Sequence, residues 1–119
     1  MKTASTILRD ARISFKKSQI LCHQIKGKKF ERAKSFLQNL VDRKITLDGK
    51  YYPKTAAKFL EMFQSLEANA KVKKLDAGKL WIKKAKADKG LVFMRPRSRF
   101  RLRARKAKSA TVEIIVEER

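Results

Sequence analysis

From Phe15 onward the apolar residues recur at intervals of three and four. Phe15, Leu21, Cys22 and Ile25, with the small Ser18 among them, share one side of a helical projection. Ser14 is placed to cap this helix and Gly27 to stop it in a left-handed conformation, so the spacing predicts a helix over 14–26. A second helix follows with little linker, its apolar side formed by Phe30, Ala33, Leu37 and Leu40 or Val41. Two adjacent amphipathic helices imply a packed hairpin. The stretch VDRKITLDGKYY then breaks the period, with Asp48-Gly49 as a turn signal, and Pro53 restarts a helix at its favoured first-turn position. That third helix presents Ala56, Phe59, Leu60, Phe63, Leu66 and Ala70, and is expected to be the spine of the core. The aromatic residues and Met62 of this stripe read as packing rather than as a cofactor pocket.

From Lys79 the period changes to two. LWIKKAKA alternates weakly, whereas the C-terminal residues alternate clearly: Val112, Ile114 and Val116 face one way, and Thr111, Glu113, Ile115 and Glu117 the other. These are the two arms of an antiparallel pair, and Ile7 to Ile13 is a further candidate strand. The predicted class is α+β, one domain over 1–119: a small antiparallel sheet packed against three helices, with a long extended β-hairpin at about 88–110.

Inside that hairpin every second residue is an arginine, at Arg95, Arg97, Arg99, Arg101, Arg103 and Arg105. Such spacing has meaning only in an extended chain, where alternate side chains share a face and recur roughly every 6.7 Å. Neighbouring guanidinium groups at that pitch repel by about 0.6 kcal/mol in bulk water, and five such pairs sum to about 3 kcal/mol before screening. A row this costly to assemble is expected to order against an anion. Its forks match phosphate geometry and cannot be deprotonated.

Composition points the same way. The chain carries 32 Lys and Arg against 11 Asp and Glu, a formal net charge of +21, so a polyanion is the default partner. Yet 43% of its residues are hydrophobic, with four glycines and two prolines, so the charge decorates a folded body rather than a disordered tail. Lys16, Lys17, Lys26, Lys28, Lys29 and Arg32 on the body, and Lys106 and Lys108 beside the arginine row, are the candidate phosphate contacts. No stretch has the length of a membrane span, and Met1 to Asp10 lack the apolar block of a signal peptide. The single Cys22 fits a reducing compartment.

No motif organises catalysis. His23 adjoins Cys22, but neighbouring helical residues point in different directions and make a poor metal pair or dyad. Asp48 and Asp76 sit in turn-like contexts that capping explains. Neither an enzyme nor a cofactor or metal is expected. Charge alone leaves two nucleic-acid readings open, an RNA-binding protein or an architectural DNA binder in which Phe100 or Pro96 wedges between base steps. A cationic membrane-surface protein is a third reading, weakened by the absence of a long amphipathic helix around Arg-Pro-Arg-Ser-Arg-Phe.

The ordered succession ARISFKKSQILCHQIKGKKFERAKSFL, GKYYPKTAAKFL, EANAKVKKLDAGKLWI, MRPRSRFR and TVEIIVEE resembles one family from Arg12 to Glu118: the universal large-subunit ribosomal protein twenty-two in its archaeal and eukaryotic form. The resemblance implies a structural constituent of the cytoplasmic large ribosomal subunit. Its body would bind large-subunit rRNA beside neighbouring ribosomal proteins, and its hairpin would line the nascent-peptide exit tunnel, meeting the nascent polypeptide in transit. No membrane partner and no homo-oligomer are implied. The family's tip motif falls on Met94, Pro96, Arg97, Ser98, Arg99, Phe100 and Arg101, with Arg95 interposed. Phe100 stands where the family usually has glycine, and its ring could instead stack on an unpaired base. The connection between helices two and three is shorter than the family norm and the long tail of many eukaryotic members is lacking, so the chain resembles a trimmed member.

Overall fold

The computed structural model describes residues 3–47, 49–94 and 106–119. In chain order these form β1 (Thr3–Ala11), α1 (Phe15–Ile25), α2 (Phe30–Val41), α3 (Pro53–Val72), a 3₁₀ turn (Ala77–Lys79), β2 (Leu80–Met94) and β3 (Lys106–Glu118). The three strands make one antiparallel sheet in the order β1-β3-β2. The α+β expectation holds. The central position goes to β3, the strand with the clearest alternation. Ala110, Val112, Ile114 and Val116 are fully buried, while Thr111, Glu113, Ile115 and Glu117 lie half-buried between them, as period two requires. On the buried side α1 runs against β2, α3 against β1, and α2 packs on α3.

Each helix is delimited largely as its sequence predicts. Ser14 accepts a hydrogen bond from the Lys17 N–H through its side chain, and Gly27 takes φ +79° just past the end of α1. The turn at Gly27 and Lys28 also zips onto the sheet edge: Gly27 N–H donates to the Ile82 carbonyl and Ile82 N–H to the Lys28 carbonyl. Without that contact the outward backbone groups of edge strand β2 would lack partners at this point. In α2 Phe30, Ala33, Leu37 and Leu40 are buried, and Phe30 stacks on Phe63 of α3 with ring centroids 4.9 Å apart. Leu60 departs from the expected core stripe: it is half-buried, while Thr55 and Met62 are buried. Leu47 and Lys50 exchange two backbone hydrogen bonds around Gly49 at φ +76°; Asp48 lies outside the described residues. Asp76 caps the 3₁₀ turn by accepting from the Gly78 N–H.

The first strand begins four residues earlier than its apolar content suggests and ends at Ala11 rather than Ile13. Its polar start is held from α3, because the Asn69 amide donates to the Ser5 carbonyl and the Lys73 ammonium to the Thr3 carbonyl. Register shifts interrupt the pairing between Leu8 and Ala11, between Ile82 and Lys84, and between Lys89 and Val92. The shift after Ile82 explains why LWIKKAKA alternates weakly. Leu80 and Ile82 face the core before it, and Ala85 after it, so one extra residue reverses the parity.

Candidate nucleic-acid interface

The body cations divide between the two ends of α1. Lys16 and Lys17 are exposed at its start, whereas Lys26, Lys28 and Lys29 lie at or past its end, followed by exposed Arg32 on α2. At 1.5 Å per residue the two groups are separated by roughly 15 Å along the axis. They form two patches, one at each end of the helix. Aromatic rings fix two of the lysines: the Lys28 ammonium sits 4.7 Å from the Phe36 ring centroid and that of Lys17 5.9 Å from Tyr52.

At the start of α1 the chain forms a cleft of about 580 Å³. One side comes from the loop after β1 and the first turn of α1, with Arg12, Phe15 and Lys16; the other comes from the paired arms, with Lys89, Val92 and Lys108. Two of these cations, Arg12 and Lys89, carry no local signal that marks them, because only the fold brings them together. The Lys89 ammonium lies 5.9 Å from the Phe15 ring centroid across the cleft. Behind the lining residues Gly90 and Ser109 the packing is tight. Leu91 N–H donates to Asp10 Oδ1 at 3.0 Å, the Ser109 hydroxyl donates to the Leu91 carbonyl at 2.6 Å, and a Cβ on Gly90 would meet Ser109 Oγ at 2.5 Å and Asp10 Oδ1 at 2.6 Å. Three strands are thus pinned together where β2 and β3 leave the core.

The ion pairs of the described residues lie elsewhere. Lys34 pairs with Glu67, Lys58 with Glu61, Lys86 with Asp88 and Glu113, and Arg119 with Glu117. Lys86 has its pKa raised above the ordinary lysine value by its contact with Glu113 and by the charge of Asp88. Among the described residues Lys16, Lys17, Lys26, Lys28, Lys29, Arg32 and Lys108 take no part in those pairs, so their ammonium and guanidinium groups remain available to an external anion. Cys22 and His23 do not converge: the cysteine is 3% exposed, while His23 faces solvent. Burial pushes the Cys22 thiol up to about 12, with a smaller contribution from the charge of Asp88. Among the described residues no group of three His, Cys, Asp or Glu could hold a metal ion. Within them, too, no helix is long and apolar enough to cross a membrane.

Pairing of the two arms is continuous in direction from Leu80 opposite Glu118 to Met94 opposite Lys106, with Lys108 opposite Val92. The row from Arg95 to Arg105, with Pro96, Ser98 and Phe100, lies outside the described residues.

Comparison with known proteins bears on the same span. The family model described as ribosomal protein L22p/L17e matches residues 6–117. A relative from Archaeoglobus fulgidus, named large ribosomal subunit protein uL22, is 34% identical over 99% of this chain and 90% of its own length. Relatives of the same name from Methanopyrus kandleri and Ignicoccus hospitalis are 29% and 30% identical over 99% and 98% of the chain, covering 88% and 89% of their own lengths. The alignment to the first spans 139 positions against 119 in this chain, so at least twenty of them fall opposite gaps. A match running from within β1 almost to the end of β3 takes in every element of the fold, and the chain belongs to the ribosomal protein L22p/L17e family.

Proposed function

We propose that this chain is a structural constituent of the large ribosomal subunit that binds large-subunit rRNA in the cytoplasm and supports subunit assembly and translation. The carrying observation is the family match over 6–117, a family of ribosomal structural proteins rather than enzymes. Electrostatics supports it: at a net charge of +21, the ion pairs among the described residues engage other cations and leave Lys16, Lys17, Lys26, Lys28, Lys29, Arg32 and Lys108 for phosphates. Folded RNA is recognised mainly by shape, backbone and unstacked bases, so many weak contacts replace a sequence code.

In this reading the domain anchors a ribbon at about 88–110, whose arginines Arg95, Arg97, Arg99, Arg101, Arg103 and Arg105, with Lys106, run between RNA segments. The ribbon tip, Met94 and Pro96 to Arg101, lines the exit tunnel and meets the nascent polypeptide. Neighbouring large-subunit proteins flank the body, and the chain acts as a single copy without cofactor. Replacing Arg97, Arg99 and Arg101 together with alanine tests it. Incorporation into large subunits, measured by gradient sedimentation of cell extracts, is expected to fall severalfold; incorporation at the wild-type level would count against the ribbon's role.

A further inference from the structure

Resting on the reading of this chain as an rRNA-binding protein, we infer that the cleft between α1 and the root of the β2–β3 ribbon is a pocket for one unpaired nucleotide of the bound RNA. Its base would enter against Phe15 and Val92, and its phosphates would lie on Arg12, Lys16 and Lys108. The size is the first argument. At about 580 Å³ the cleft falls within the range of roughly 300 to 1,000 Å³ typical of small-molecule sites, and far exceeds what one phosphate group on a surface needs. Its lining is the second. Ile13, Phe15 and Val92 give an apolar floor and side, while Arg12, Lys16, Lys89 and Lys108 supply cations from three separate segments of the chain. A helical phosphate backbone would use such cations but has no use for the apolar interior; a nucleotide, flat and apolar at one end and anionic at the other, uses both.

The charge balance strengthens this. Among the described residues none of the four cations is ion-paired, and the nearby Asp10 carboxylate is not part of the lining and accepts from the Leu91 N–H. Lys89 overhangs Phe15 at 5.9 Å from its ring centroid and both side chains line the cleft, so that ammonium can give up the ring to an incoming base and move onto a phosphate. The pinned strands at Gly90 keep the two sides at a set separation.

The test uses the full chain bound to its own deproteinised large-subunit rRNA, with nucleobase reactivity read along the RNA. Wild-type protein is expected to protect at least one unpaired nucleobase. Val92→Trp, which fills the cleft from an exposed strand position, should raise reactivity at that base by roughly tenfold and leave the rest of the footprint in place. The same bulk added by Val72→Trp, at a residue 82% exposed near the end of α3, should change nothing. If Val92→Trp does not fold, Lys16→Ala with Lys108→Ala carries the test and should deprotect the same base. Identical footprints for wild type and both cleft variants overturn the pocket while leaving rRNA binding intact; the lack of any wild-type footprint overturns the rRNA-binding reading itself.

Discussion

At Gly90 the packing admits no side chain. A methyl group there would sit 2.5 Å from Ser109 Oγ, 2.6 Å from Asp10 Oδ1 and 3.2 Å from the Ser109 carbonyl carbon, so two hydrogen-bonded groups and a backbone would have to yield. Gly90→Ala is expected to destabilise the fold by about 1 to 3 kcal/mol in denaturant unfolding, the usual cost of overpacking. Adding Ser109→Ala should recover part of that loss, a coupling that a double-mutant cycle reads directly. A neutral Gly90→Ala would show that the three strands are not locked here. Cys22 gives a second residue-scale prediction. Its thiol is raised from an ordinary 9.0 to about 12, first by burial. Below about pH 9 it is protonated in both folded and unfolded chains, and its contribution is fully present. Between 9.0 and about 12 the unfolded chain releases the proton while the folded chain retains it, so stability falls with rising pH by about 1.4 kcal/mol per unit. Cys22→Ala lacks this slope, and the difference between the two proteins' pH profiles removes the lysines, including Lys86, whose raised pKa also makes stability fall at high pH. Parallel profiles above pH 9 would refute the assignment.

Among the elements, the hinge between α1 and α2 depends on one backbone conformation. Gly27 takes φ +79°, and an added Cβ would meet nothing within 4 Å, so substitution costs only backbone strain. Gly27→Ala should lose about 1 kcal/mol by thermal or denaturant unfolding and Gly27→Asn distinctly less, because asparagine tolerates the left-handed region better. Equal losses would mean that something other than φ decides. This element was legible: a serine cap, a three-and-four stripe and a glycine stop all lie within one local window, as do the period of β3 and the proline start of α3. What was not legible depends on distant partners. The polar beginning of β1 offers no alternation strong enough to mark a strand, and it forms because it pairs with the far end of β3, while Asn69 and Lys73, more than sixty residues away, bond its carbonyls. The bulges of β2 blur its period because one inserted residue reverses which side chains face the core. The cleft escapes sequence reasoning for the same reason. Arg12 and Lys89 are unremarkable lone cations in a chain with 32, and become neighbours only when the ribbon root folds against the start of α1.

For the molecule as a whole, charge sets how tightly it binds and geometry sets where. The candidate phosphate contacts whose side chains are described fall into a patch at the far end of α1, with Lys26, Lys28, Lys29 and Arg32, and a second at its start beside the cleft, with Lys16, Lys17 and Lys108. Each side chain that neutralises a phosphate releases condensed counterions, so the logarithm of affinity falls with the logarithm of salt by about 0.7 to 0.9 per contact. This distinguishes a contact from a merely solvated lysine, which changes affinity little and slope not at all. Lys26→Ala, Lys29→Ala and Arg32→Ala together should therefore reduce the slope for large-subunit rRNA by about 2 to 3 if all three reach phosphates. Measured by filter binding across a salt series, an unchanged slope would return that patch to solvent and leave the cleft and the ribbon as the whole of the interface. A Lys29 loss should be the least separable from folding, because its backbone bridges Trp81 at the sheet edge, so Lys26→Ala with Arg32→Ala is the cleaner pair, with an expected loss of slope of about 1.5 to 2.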